Sequence, residues 1–245
     1  MYALKIENVS KSFYNFVLDQ EKVVLKNCDL NVKEESIFGL VGLNGIGKTT
    51  LIKIMFDMLD ADSGSVYFFD SLNKDFKSRR KVCYLPEKFQ PSQYLTGYDF
   101  LEISLSFFNK TLDKKFAQET AERIDLDPSA LSLKSGKYSK GMGQKLGLIA
   151  CFLSGAKLLV LDEPMSGLDP RSRIMLKDTL MEYKKAGNCV FFSSHILEDI
   201  TEICDDIAVL HSGAMKFRGT AEQLKLQYKS QNPEKAFLNC IESNL

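Results

Sequence analysis

The eight residues Gly42-Leu43-Asn44-Gly45-Ile46-Gly47-Lys48-Thr49 constrain this chain more than any other stretch. They follow the apolar run Ile37-Phe38-Gly39-Leu40-Val41, which reads as a buried strand. After them come Leu51, Ile52, Met55 and Leu59, at spacings that fall on one face of a helix. Strand, glycine loop and helix in that order are the setting of a phosphate-binding loop. The glycines let successive N–H groups turn inward toward phosphate oxygens, where a Cβ would obstruct them. The helix that starts there adds the positive end of its dipole. Lys48 can reach terminal phosphates as a point charge, and Thr49 offers a hydroxyl to Mg²⁺. The adjoining Thr50 joins Gly42 to Thr49 as a candidate binding position.

A second constellation is Leu158-Leu159-Val160-Leu161-Asp162-Glu163-Pro164. Four apolar residues read as a fully buried strand of the parallel type, ending in two carboxylates. Ligands of open α/β sheets bind at that end of the strands. Asp162 can hold Mg²⁺ through its water shell, and Glu163 can orient or deprotonate a water. Ser139, followed by Gly141, reads as the N-cap of a helix whose free N–H groups form an anion site or simply a capped end. His195 follows Ser193-Ser194 at another strand end, where it can donate to a terminal phosphate or serve as a structural histidine. His211 lies in a turn and carries no such expectation.

Lys plus Arg and Asp plus Glu number 32 each, so bulk charge gives no argument for a nucleic-acid partner. The 44% hydrophobic content suits a globular protein, and the longest uncharged runs fall well short of the ~20 apolar residues that a spanning helix needs. The N-terminus alternates like a strand rather than reading as a signal peptide. The six cysteines, Cys28, Cys83, Cys151, Cys189, Cys204 and Cys240, lack close metal or redox spacing and are expected as buried free thiols. A cytoplasmic location follows from these features.

In chain order, Leu4, Ile6 and Val9 predict a strand that breaks at Phe13-Tyr14, and residues 23–32 predict a second. Short strands are expected at 66–69 and 82–85, the latter ended by Pro86. From about residue 88 to 154 the pattern becomes helical, with helices expected over 98–108, 114–124 and after Ser139. Strands at 158–161, 190–192 and 207–210 alternate with helices over 171–186 and 196–204. A terminal hairpin at 214–217 and a short helix near 221–228 complete the prediction. The chain reads as one domain over 1–245, with a tail from 220.

Together these motifs resemble the nucleotide-binding subunit of ABC transporters, from Leu4 to about Gly219. Gly42 to Thr49 resembles its Walker A loop, and Leu158 to Glu163 its Walker B strand. Tyr138-Ser139-Lys140-Gly141-Met142 resembles the family signature, Ser166-Gly167-Leu168-Asp169 the D-loop, and His195 the switch histidine. Phe13, with Tyr14 as its alternative, sits where the family stacks an aromatic on adenine. The resemblance implies an α/β P-loop NTPase of ABC type: a mostly parallel core sheet, an N-terminal antiparallel β-subdomain and a helical insert. It implies binding of ATP and Mg²⁺ by a homodimer, or by pairing with a similar chain, and work on separate membrane subunits from the inner face of the cell membrane. Thr49, Asp162 and Glu87 would serve the metal, Glu163 and His195 catalysis, and Ser139, Gly141 and Asp169 nucleotide binding. Lys140 and Met142 depart from the usual Leu-Ser-Gly-Gly-Gln, Leu43 from proline, Ile46 from a small residue and Glu87 from glutamine. The signature variants and Glu87 are similar to exporter-like members. The membrane partner is expected to dock between Glu87 and Phe100, where Phe89, Tyr94 and Tyr98 also lie, although Tyr98 and Phe100 begin a helix and are equally expected in the core. The alternatives are an importer subunit, a nucleic-acid or ribosome ATPase, which would usually carry coiled coils or zinc modules, and a small-molecule kinase, which would lack the signature. No nucleic acid is expected as partner.

Overall fold

The computed structural model describes residues 1–15 and 19–243; part of the loop between Phe13 and Leu25 and the last two tail residues lie outside them. The chain opens with strands β1 (Tyr2–Asn15), β2 (Gln20–Lys33) and β3 (Ile37–Val41), then helix α1 (Lys48–Met55). β4 (Ser63–Phe68), β5 (Ser71–Leu72), α2 (Phe76–Arg79) and β6 (Val82–Leu85) follow. A helical stretch carries α3 (Gly97–Ser106), α4 (Lys114–Arg123) and α5 (Lys140–Ser154). The chain then alternates through β7 (Leu158–Asp162), α6 (Pro170–Lys185), β8 (Cys189–Ser194), α7 (Leu197–Ile203) and β9 (Asp206–His211). It closes with β10 (Ala214–Gly219), α8 (Ala221–Gln227) and α9 (Pro233–Glu242).

The strands form two sheets. One is antiparallel, in the order β2-β1-β4-β5; the other runs β10-β9-β3-β8-β7-β6 and is parallel except for β10. Every residue of β3, β7 and β8 is buried, as near-continuous apolar runs require of a sheet covered on both faces. The two-residue period divides them. Ile37, Val41, Leu159, Leu161, Val190 and Phe192 pack with α5, α6 and α7, whereas Phe38, Leu40, Leu158, Val160 and Phe191 pack with α1 and the antiparallel sheet. Phe38 and Phe191 stack across neighbouring strands with centroids 5.9 Å apart.

Local chemistry sets the helix ends. Thr96 and Asp99 form a reciprocal capping box at α3, Ser139 caps α5 by accepting from the Met142 N–H at 3.2 Å, and Pro170 follows the Asp169 cap of α6. The expected break at Phe13-Tyr14 is corrected: β1 continues to Asn15, with Phe13 opposite Lys22 and Tyr14 opposite Glu21. Both aromatics are exposed there, so the strand needs no apolar alternation to persist. Helix α9 was not anticipated from sequence. Asn232-Pro233 starts it, and Ala236, Phe237 and Cys240 bury its inner face in the main core. All six cysteines are free, five of them buried and Cys204 half-buried.

Gly39 lets α7 lie against β3, because a Cβ built on it would sit 2.5 Å from Ile200 Cγ2 and 2.9 Å from Cys204 Sγ. Gly39→Val should therefore overpack this contact and cost about 1–3 kcal/mol, measurable as a lower urea midpoint with an unchanged slope.

Candidate active site

The loop after β3 and the ends of β7 and β8 converge at one edge of the parallel sheet. Gly47 caps α1 with φ 119° and no side chain, so no capping group competes for the first-turn N–H groups. Lys48 is almost fully buried. Its ammonium donates to the carbonyls of Gly42 at 2.6 Å and Leu43 at 3.4 Å and lies 3.1 Å from Glu163 Oε1. That last contact is a charge contact without hydrogen-bond alignment, since Oε1 is buried with no hydrogen-bond partner. Thr49 Oγ1 donates to Asp162 Oδ2 at 2.7 Å, and the Ser193 hydroxyl donates to Asp162 Oδ1. Asp162 itself is fully buried.

Glu163 turns the chain sharply, with φ 50°, a left-handed conformation that a non-glycine residue holds only when its surroundings fix it. Its N–H is held by the Ser193 carbonyl at 3.2 Å and by Ser193 Oγ at 3.1 Å. The turn brings Oε2 to 2.8 Å from His195 Nδ1, so an imidazole protonated at Nδ1 donates to the carboxylate. A cleft of about 120 Å³ opens onto Asn44, Gly45, Lys48, Thr49, Glu87 and Glu163. Leu43, Gly47 and Thr50 also line it, whereas Ile46 packs toward the core against Gly42. Nearby, burial pushes the Tyr84 phenol up, and the Asp162 and Glu87 carboxylates push it further.

Ser139, Gly141, Asp169 and Phe13 do not line this cleft, and Glu87 borders a second one as well. That second cleft, of about 440 Å³, is also bordered by Ser139, Phe89, Tyr138 and Gln144. Gly141 lies against Gly167, in the loop before α6. Asp169 accepts from the Ser172 hydroxyl at 2.6 Å and its N–H at 3.0 Å, which holds its carboxyl down at about 2. Phe13 is exposed on the antiparallel sheet, with the Lys11 ammonium 5.6 Å from its ring centroid. Of the aromatics expected at a docking face, only Tyr94 is freely exposed; Phe89, Tyr98 and Phe100 pack against the main core, and Phe89 meets Phe100 edge-on at 5.4 Å. Sequence reading missed Ser193, although its position just before Ser194-His195 at a strand end was a usable signal.

Thr49, Asp162 and Glu87 offer only hard oxygen donors. Among the described residues no group of three or more His, Cys, Asp or Glu side chains is spaced to enclose a metal. Such a set fits Mg²⁺, which takes few protein oxygens and completes its shell with phosphate and water.

A parallel sheet with a glycine loop, an adjacent Asp-Glu pair and a histidine at its active edge defines a P-loop nucleotide-binding protein. The chain belongs to the ABC transporter family, whose model matches residues 25–166, more than half of its length. An uncharacterised ABC transporter ATP-binding protein of Nostoc sp. is 35% identical over 212 residues, covering 85% of this chain. The chain spans 63% of that relative's length. A lantibiotic transport ATP-binding protein of Streptococcus pyogenes is 28% identical and matches over 97% of both chains. Among solved structures, an ATP-binding subunit of an ABC transporter superposes with a TM-score of 0.86 at 25% identity, over 97% of this chain and 99% of its own.

Ser193→Ala should leave Asp162 Oδ1 buried without its donor and release one tie on the Glu163 N–H. A loss of about 1–3 kcal/mol in urea unfolding is expected. Unchanged stability would show that water replaces the hydroxyl.

Proposed function

We propose that the chain is the ATP-binding and ATP-hydrolysing subunit of a membrane transporter, paired with a second copy or a similar chain and bound to separate membrane subunits. The observation that carries this reading is the convergence of Lys48, Thr49, Asp162, Glu163 and His195 beside an open helix N-terminus. Family membership supports ATP as the nucleotide, and the relative named for lantibiotic transport supports transport as the work. Export is the direction we favour, on the exporter-like departures at Lys140, Met142 and Glu87.

In this reading Lys48 exchanges its carbonyl and Glu163 partners for the β- and γ-phosphates, aided by the loop amides of Gly42 to Thr49. Thr49 and Asp162 would hold Mg²⁺ with Glu87 at the same cleft, and a metal there neutralises charge on the phosphates. Glu163 Oε1, freed from Lys48, accepts a proton from the attacking water, and His195 orients the carboxylate through Nδ1. Ser139, Gly141 and Asp169, none of which lines the cleft at this chain's own phosphate loop, would serve the nucleotide of the second copy. Phe13 or Tyr14 would stack on adenine. The membrane subunits would meet the face between Glu87 and Phe100, with Tyr94 as its exposed aromatic, at the inner face of the membrane. No described helix is long and apolar enough to cross a membrane, which agrees with a separate partner for that task.

Two variants test the assignment. Lys48→Ala should weaken MgATP binding by at least about tenfold in calorimetry, because the phosphates lose their charge partner. Glu163→Gln should bind MgATP but turn over about 10²–10⁴-fold more slowly. Light scattering should then report an ATP-dependent dimer. Turnover at the wild-type rate would falsify the role given to Glu163.

A further inference from the structure

Ser139 and Gly141 open α5, and Asp169 opens α6. The proposed function, on which the role inferred below for Asp125 rests, asks both helix starts to meet one nucleotide held by a second copy, so their spacing must be fixed. Groups that address one ligand work only when held within about 0.5 Å of the productive geometry. Two contacts hold the upper rim. A Cβ built on Gly141 would lie 3.0 Å from the Gly167 carbonyl oxygen, so the two backbones touch. The buried Gln144 donates from Nε2 to the Pro164 carbonyl at 3.3 Å.

Beneath that rim lies Asp125, between α4 and the signature helix. Its φ of 62° is a left-handed conformation that Asp tolerates better than most residues. Asp125 joins both helices. Its carbonyl accepts from Lys145 Nζ of α5 at 2.5 Å, and the same ammonium is 3.5 Å from Oδ2. Its carboxylate lies 2.9 Å from the Ser172 hydroxyl of α6, as an acceptor alternative to Asp169, and pairs with Arg171 Nε at 3.2 Å. Lys145 and Ser172 are buried, so these bonds are shielded from water, whereas Arg171 is exposed and adds little. The Ser172 hydroxyl also lies 2.6 Å from Asp169 Oδ2. The hydroxyl carries one proton, so it donates to Asp125 or to Asp169 at any moment, and in either case it sets the Asp125 carboxylate beside the cap of α6.

We propose that Asp125 is a positioning residue for ATP-driven pairing, holding the start of α5 in register with the 163–169 loop so that both meet the second copy as one rigid surface. It touches neither nucleotide nor metal. Its removal should spare the chain's own phosphate loop and impair only what α5 and α6 do together.

The test uses Glu163→Gln as parent and adds Asp125→Asn. MgATP-driven pairing is followed by light scattering, and MgADP binding by calorimetry reports the phosphate loop alone. Asp125→Asn should raise the MgATP concentration for half-pairing by about tenfold or more. MgADP affinity should stay within about twofold. Ser172→Ala, which removes only the hydroxyl, should shift pairing in the same direction, and the double variant should be little worse than Asp125→Asn, as for members of one network. A pairing curve that moves in neither variant overturns the proposal, as does a MgADP affinity that falls in step with pairing. A parent that never pairs overturns the proposed function itself, and the role of Asp125 with it.

Discussion

Asp162 ends a strand of four apolar residues, and its own carboxylate is fully enclosed, so its charge must be met from inside the protein. The Thr49 and Ser193 hydroxyls meet it. Those two bonds tie the start of α1 and the end of β8 to the end of β7, the three elements that build the site. Without them the sheet edge would hold a buried anion with no donors, and losing even one of the two hydroxyls costs about 1–3 kcal/mol. The same bonds explain why the polar residues collect where they do. Each strand is apolar through its buried length and turns polar only at its C-terminal end.

The apolar lengths of the strands do a second task. Because alternate residues face opposite sides, β3, β7 and β8 serve two cores at once: helices α5 to α7 on one face, α1 and the antiparallel sheet on the other. The register among these strands is therefore fixed from both sides, and a one-residue slip would drive both sets of side chains into the wrong core. Precise register is what lets Asp162 pair with Ser193 across β7 and β8 and lets Glu163 lean on the same serine.

Much of this could be read in the sequence, because its signals are local. The glycine loop, the four-residue apolar runs and the caps at Ser139 and Asp169 each depend on a few neighbours, and the strands and helices they mark fall within a few residues of expectation. The strand through Phe13 and Tyr14 was missed because cross-strand partners sustain it where the apolar pattern stops. Helix α9 was missed because a short amphipathic segment in a polar tail has little to distinguish it until Tyr228 and the main core supply its partner surface. The bonds made by Ser193 and Asp125 were hidden for a deeper reason: Ser193 meets Asp162 across 31 positions and Asp125 meets Ser172 across 47, and single-sequence patterns carry no record of such meetings. Likewise Phe89 read as a surface aromatic, and Tyr98 and Phe100 as surface or core with equal weight, until the core beneath them came into view.

Lys48 shows how the site can be stable and still ready for a ligand. Its ammonium is buried, yet it rests on two loop carbonyls and the near oxygen of Glu163 rather than on one ideally aligned carboxylate. A buried cation held this way avoids the full desolvation penalty while keeping partners that an anion can displace. Phosphate oxygens carry more charge than carbonyls, so in the proposed function exchange would favour the ligand and would separate Lys48 from Glu163 in the same motion. His195 would keep hold of the other Glu163 oxygen, because its contact is with Oε2 and not Oε1. A carboxylate anchored at one oxygen and released at the other is oriented before any water arrives. In the proposed function, positioning for proton abstraction would thus be built into the arrival of the phosphate, through the asymmetry between the two oxygens of a single side chain.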